Sequence, residues 1–241
     1  MPHATSHAPT ARALLPDAWP VLLLFGLYPL WWFLGLGGFV WGIFALPMLL
    51  WLFRRRSVDV PIGFGFWLLF LSWMAASLLV IDDSGRLMVA IHRASLYVSA
   101  TILFVYVYDL PLPALRKVVG ALATFWAGVV ALGLLAVLWP SLEFTSLMER
   151  VLPRGLLSSG YILELTHVRL AQIHDFLGFP VGRPTGPFAY TNQWGSAFAL
   201  LTPFAMLAVK LRLYRWRWLI PLAVLAPVPL VVSLDRGAWL S

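Results

Sequence analysis

No charged side chain interrupts the run from Pro20 to Phe53, and its clearest break is the cluster Gly35–Leu36–Gly37–Gly38. A single helix over that run would rise about 50 Å, against about 30 Å for the hydrocarbon core of a bilayer. Two short or tilted spans meeting at the glycines resolve the mismatch. Lipid offers no hydrogen bonds to a bare backbone, so such spans must be helical. Similar apolar runs cover Pro61 to Ile81, Leu87 to Tyr108, Val118 to Trp139 and Ala189 to Val209. Trp218 to Leu234 is shorter and holds Pro221, Pro227 and Pro229, which predicts a kinked or locally broken helix. Gly237 to Leu240 reads as the start of a further span.

The expected organisation is therefore an all-α, polytopic helical membrane protein. Residues 1–19 form a cytoplasmic N-terminal tail, 20–140 hold five candidate transmembrane helices, and 141–188 form an extracytoplasmic loop. Residues 189–241 hold two more spans and the start of an eighth. The first run leads into the second without a small-residue cleavage signature, as a retained span does and a signal peptide does not.

Composition agrees with a bilayer: hydrophobic residues make up 61% of 241, charged residues 11%, and mean hydropathy is +0.86. Many of the 13 tryptophans lie near run ends, where an indole suits the headgroup region. The formal charge of +7 does not point to nucleic acid, because the 17 basic residues are divided among short loops. With no cysteine, disulfide frameworks and thiolate metal sites are excluded.

Most of the cations fall on one side if the N-terminus is cytoplasmic. That side receives Arg12, Arg54 to Arg56, Arg116, Lys117, Lys210, Arg212, Arg215 and Arg217, as the positive-inside tendency requires. Arg86, Arg93, Arg150, Arg154, Arg169, Arg183 and Arg236 fall on or near the other side. Those in the long loop need no special role. Arg93, however, lies within an apolar run, where exposure to lipid would cost about 2.5 to 3.5 kcal/mol, so it must snorkel or face a polar cavity. Arg86 precedes it by seven residues and shares its helix face. The open alternatives for this pair are a salt bridge to Asp82 or Asp83 and an anion-binding role.

The segment from Gly182 to Gly195, GRPTGPFAYTNQWG, stands immediately before a span and contains the only asparagine, Asn192. Pro184 and Pro187 stiffen it, and Gly186 permits a tight turn. Thr191 or Asn192 can cap the following helix, and the Asn192 amide can also serve a sugar or phosphate at the positive helix end. Arg183 and Arg236 fall on one membrane side, since two crossings separate them. Their guanidinium forks suit a lipid pyrophosphate, and headgroup anchoring is the alternative. His167 and His174 share a face only if the loop is helical there, and their spacing lacks a compact metal-ligand signature.

The chain resembles the family of O-antigen ligases and Wzy-type O-antigen polymerases. The resemblance rests on GRPTGPFAYTNQWG before a span, a short basic inner loop, and the returning segment VVSLDRGAWLS. It covers most of the chain, and those two patterns are its specific part. It implies a GT-C-type membrane fold in the bacterial inner membrane and an undecaprenyl-pyrophosphate-linked glycan as donor. The implied acceptor is a saccharide such as lipid A-core or a growing polysaccharide. The implied chemistry is inverting, needs no metal or cofactor, and releases the lipid pyrophosphate at the extracytoplasmic face.

Carried over residue by residue, Arg183 resembles the arginine before the family's Gly-and-Asn stretch, which Gly186 and Asn192 match. Arg236 and Gly237 resemble the pair that opens the next span, although Asp235 stands where the family commonly has serine. Donor pyrophosphate binding is thus expected of Arg183, Arg236 and Arg93, supported by Gly186, Asn192, Gly237 and Arg86. Family members continue into a large external loop with an essential histidine. The resemblance implies that this chain is an N-terminal fragment, truncated and inactive alone, whose catalytic histidine lies beyond Ser241. A polytopic transporter or flippase of a lipid-linked saccharide is the alternative, since it would use the same cationic, proline-broken spans.

Overall fold

In a computed structural model, which describes residues 18–55, 57–158, 160–176, 179–213 and 219–233, the chain reverses at the glycine cluster. Helices α1 (Trp19–Gly26) and α2 (Tyr28–Phe33) approach it, and α3 (Val40–Phe53) leaves it. Gly35 takes φ +80°, a conformation that a side chain disfavours, and this places the reversal there. Pro29 in the first turn of α2 marks the break between α1 and α2.

Helix α4 (Phe64–Ser77) runs on through a 3-10 turn at Leu78–Val80, and α5 (Ser84–Tyr108) and α6 (Leu112–Leu138) follow. α5 and α6, at 25 and 27 residues, are the two helices among the described residues that are long and apolar enough to cross a membrane. Helix α10 (Thr191–Lys210) follows the loop region. The proline-rich run then forms two short helices, α11 (Leu219–Leu225) and α12 (Pro227–Val232), divided at Ala226. The chain is predominantly helical.

α6 is the centre of the packing, with α1, α2, α10, α11 and α12 against it. Its interface with α10 turns on one large and one absent side chain. Trp194 is fully buried, and its indole N–H donates to the Val129 carbonyl at 3.0 Å. A Cβ on Gly133 would stand 2.7 Å from the Trp194 ring, so only glycine lets the indole seat. Trp194 stacks on Phe198 at 5.5 Å, and Trp126 donates to Thr202 at 3.0 Å. By contrast, α4 buries no residue and presents Phe66, Leu69 and Trp73 outward.

The region between α6 and α10 combines short helices with two antiparallel strand pairs. Helices α7 (Leu147–Val151), α8 (Arg154–Leu157) and α9 (Tyr161–Thr166) are each short. Strand β1 (Glu143–Phe144) pairs antiparallel with β2 (Val168–Arg169), and β3 (Ala171–Phe176) pairs antiparallel with β4 (Phe179–Pro184). The cause is legible locally: Pro180, Gly182 and Pro184 disfavour helix, and an antiparallel hairpin leaves them on an edge. His167 consequently follows α9 while His174 sits on β3 opposite Val181, so the two histidines share no helix face.

The two ends of the helix group differ in charge. Arg116 and Lys117 of α6 line a groove with Leu22 of α1 and Leu213 after α10, and Arg55 after α3 pairs with Asp109 after α5 at 3.4 Å. At the other end the glycine reversal meets the loop region, where the Met148 N–H donates to the Leu34 carbonyl at 3.0 Å.

Candidate functional site

A cavity of about 530 Å³ opens at this second end. The glycine reversal contributes Gly37 and Gly38, with Trp32 and Trp41 beside it; α5 contributes His92, Arg93 and Leu96. α9 supplies Tyr161, Glu164 and Leu165, and Pro187 to Tyr190 with Gln193 and Ser196 form much of the remaining wall. Arg93 and the segment singled out by its prolines and glycines are therefore brought to one place.

The polar groups in that wall fall into two hydrogen-bonded sets. Glu164 accepts from the Tyr190 hydroxyl at 2.6 Å and from Arg169 Nη2 at 2.8 Å. The Tyr190 bond holds the Glu164 carboxyl below the usual carboxylate range, with Arg169 adding to it against the opposing effect of burial. The same bond pushes Tyr190 up to about 12. An ionised Glu164 of lowered pKa is a weak base, and Tyr190 stays protonated. The pair suits fixing hydroxyl groups better than taking their protons.

The second set is centred on His92. Nε2 faces the Gly38 carbonyl at 3.1 Å, and Nδ1 faces the Tyr161 hydroxyl at 2.8 Å. A carbonyl only accepts, so Nε2 carries hydrogen, and in the neutral ring Nδ1 accepts from Tyr161. Both nitrogens are engaged, which makes His92 a strut from α5 to the glycine reversal and α9. Nearby, the ring nitrogens of His167 face Glu149 at 3.0 Å and Glu143 at 3.7 Å. Among the described residues no cluster of three or more such side chains is arranged to hold a metal ion.

Of the arginines expected to bind pyrophosphate, Arg93 lines the cavity and Arg183 does not. Arg93 is exposed at the cavity and forms no ion pair or side-chain hydrogen bond among the described residues. Arg86 lies with it on an adjoining concave surface that also includes Asp83 and Tyr161. The salt-bridge alternative is not realised: the Asp83 side chain instead caps α5, accepting from the Arg86 backbone N–H at 2.7 Å.

Arg183 is half-buried on β4 opposite Gln172, and its Nε–H donates to the Ser233 carbonyl at 2.6 Å. It ties the hairpin to the end of α12 and is not among the residues lining the cavity. Gly186 lies under Trp32, where a Cβ would approach the ring to 3.2 Å, so the segment can pass close against the reversal. Asn192 is exposed in the first turn of α10. Neither it nor Thr191 caps that helix; the cap is Tyr190, whose backbone N–H donates to Gln193 Oε1 at 3.3 Å. Arg236 and Gly237 lie outside the described residues.

The site residues expected from sequence do not include His92, Tyr161, Glu164, Tyr190 or Gln193. Tyr190 and Gln193 sit inside the quoted segment, and their offset of three before an apolar run is the capping-box spacing, a usable signal. Glu164 and Tyr161 carry none, because their roles depend on how α9 folds over α5. No protein-family model, curated protein or solved structure matches the chain.

Proposed function

We propose that the protein is a glycosyltransferase of the bacterial inner membrane, of ligase or polymerase type. It transfers a glycan from undecaprenyl pyrophosphate to a saccharide acceptor, such as lipid A-core or a growing polysaccharide, at the extracytoplasmic face. The N-terminus is cytoplasmic and the fold is of the polytopic GT-C kind. The carrying observation is the cavity that sets Arg93, unpaired among the described residues, beside aromatic walls and the Glu164–Tyr190 pair. A cation for phosphate, flat rings for sugar faces and fixed hydroxyl partners are what a glycan joined to pyrophosphate needs.

In the transfer, an acceptor hydroxyl attacks the anomeric carbon, the carbon–oxygen bond to pyrophosphate breaks, and the hydroxyl proton passes to the catalytic histidine that the family resemblance implies. Arg93, with Arg86 beside it, stabilises the charge that grows on the departing pyrophosphate. Arg183 acts at one remove, by holding the segment that forms the cavity wall.

A transporter or flippase of the same lipid-linked saccharide is the second reading, favoured by the interruption between α11 and α12 at Ala226. One assay separates them. The full-length protein is reconstituted with a radiolabelled undecaprenyl-pyrophosphate-linked glycan and acceptor, and both new glycosidic bonds and donor sidedness are measured. Arg93→Ala is expected to lower bond formation about 100-fold at equal membrane abundance. Unchanged transfer in that variant removes Arg93 from the chemistry. Donor that crosses the bilayer with its glycosidic bond intact replaces the transferase reading with the transport one.

A further inference from the structure

The opposite, basic end of the molecule carries a second concavity, a groove of about 780 Å³ between α1 and the first turns of α6. Its wall is apolar, formed largely by Leu22, Leu23 and Leu27. A Cβ built on Gly26 meets nothing within 4 Å, so the groove is open beside that residue. Arg116 and Lys117 line it, both exposed. Neither forms an ion pair among the described residues, and the carboxylate nearest in sequence, Asp109, is engaged by Arg55. The end of α10 adds Lys210 and Arg212, also without carboxylate partners among the described residues.

We propose that this groove binds an anionic phospholipid, with its phosphate on Arg116 and Lys117 and an acyl chain along the leucines of α1. The two features demand one ligand. A free phosphate would use only the cations and leave the apolar wall wet, whereas a zwitterionic lipid would bring its own cation to a site already rich in them. Arg116 and Lys117 stand four and five residues after Leu112, the start of α6, roughly 6 to 8 Å along it, a depth suited to a headgroup at the end of a membrane-length helix. The site lies at the other end of the molecule from the glycan cavity and does not rest on the transferase reading.

The test uses the full chain in nanodiscs of phosphatidylcholine, titrated with phosphatidylglycerol and read by native mass spectrometry for lipid that stays bound. The wild type is expected to retain phosphatidylglycerol selectively. Arg116→Gln with Lys117→Gln should weaken retention roughly 25-fold, at about fivefold per cation. Arg116→Lys with Lys117→Arg should keep it. Gly26→Phe, which fills open space without touching a charge, should also reduce it. As a control, Arg150→Gln with Arg154→Gln at the other end should change nothing. Equal retention of both lipids by the wild type overturns the proposal, as does undiminished phosphatidylglycerol retention in the Arg116 and Lys117 glutamine variant.

Discussion

The hydrogen bond from Tyr190 to Glu164 ties the stability of the cavity wall to pH. Glu164 has a folded pKa below its unfolded one, so its contribution is present above the ordinary carboxylate range and is lost as pH falls through the lowered value. Tyr190 is raised to about 12, so its contribution is full below pH ~10, the unfolded value, and is lost as pH rises toward 12. Both describe the same bond and are counted once. Comparing thermal midpoints of wild type and Tyr190→Phe should give a difference that is level through neutral pH and shrinks at both extremes. A difference that grows on acidification would contradict the bond's direction. Arg93 was legible from sequence because a cation inside an apolar run demands an explanation. Tyr161 and Glu164 were not, since a tyrosine and a glutamate in a loop look like any solvated pair until α9 folds against α5.

At the scale of elements, the contact of α6 with α10 rests on Trp194 filling the space that Gly133 leaves. Gly133→Leu should cost about 1 to 3 kcal/mol through overpacking. Trp194→Ala should cost about 3 to 5 kcal/mol by leaving a cavity. Trp194→Phe should cost about 1 kcal/mol, mainly the lost bond to the Val129 carbonyl. Denaturation of the detergent-solubilised variants checks the ranking; a neutral Gly133→Leu would contradict the close approach. The positions of α5, α6 and α10 could be read from their apolar runs, and the break between α11 and α12 from its prolines. The β3–β4 hairpin was harder to read. β4 packs on α6, which no local pattern announces, whereas the run YILELTHVRLAQIHDF, which includes β3, offers a helical pattern that Tyr161 to Thr166 do adopt.

For the whole molecule, the separation of charge is the organising feature. One end gathers Arg55, Arg116, Lys117, Lys210 and Arg212, while the other gathers the glycine reversal, the hairpin and the cavity. On the proposed transferase reading, the first end is the cytoplasmic one, in line with the positive-inside tendency, and the cavity faces outward. Because the chain has no cysteine, a single introduced thiol reports both location and occupancy. Ser196 is exposed and lines the cavity. In sealed, right-side-out vesicles, Ser196→Cys should react with a membrane-impermeant maleimide, and undecaprenyl pyrophosphate should protect it, with protection lost when Arg93→Ala is added. Labelling only after the vesicles are opened, or labelling that undecaprenyl pyrophosphate leaves unchanged, would contradict an outward-facing cavity built for a lipid pyrophosphate.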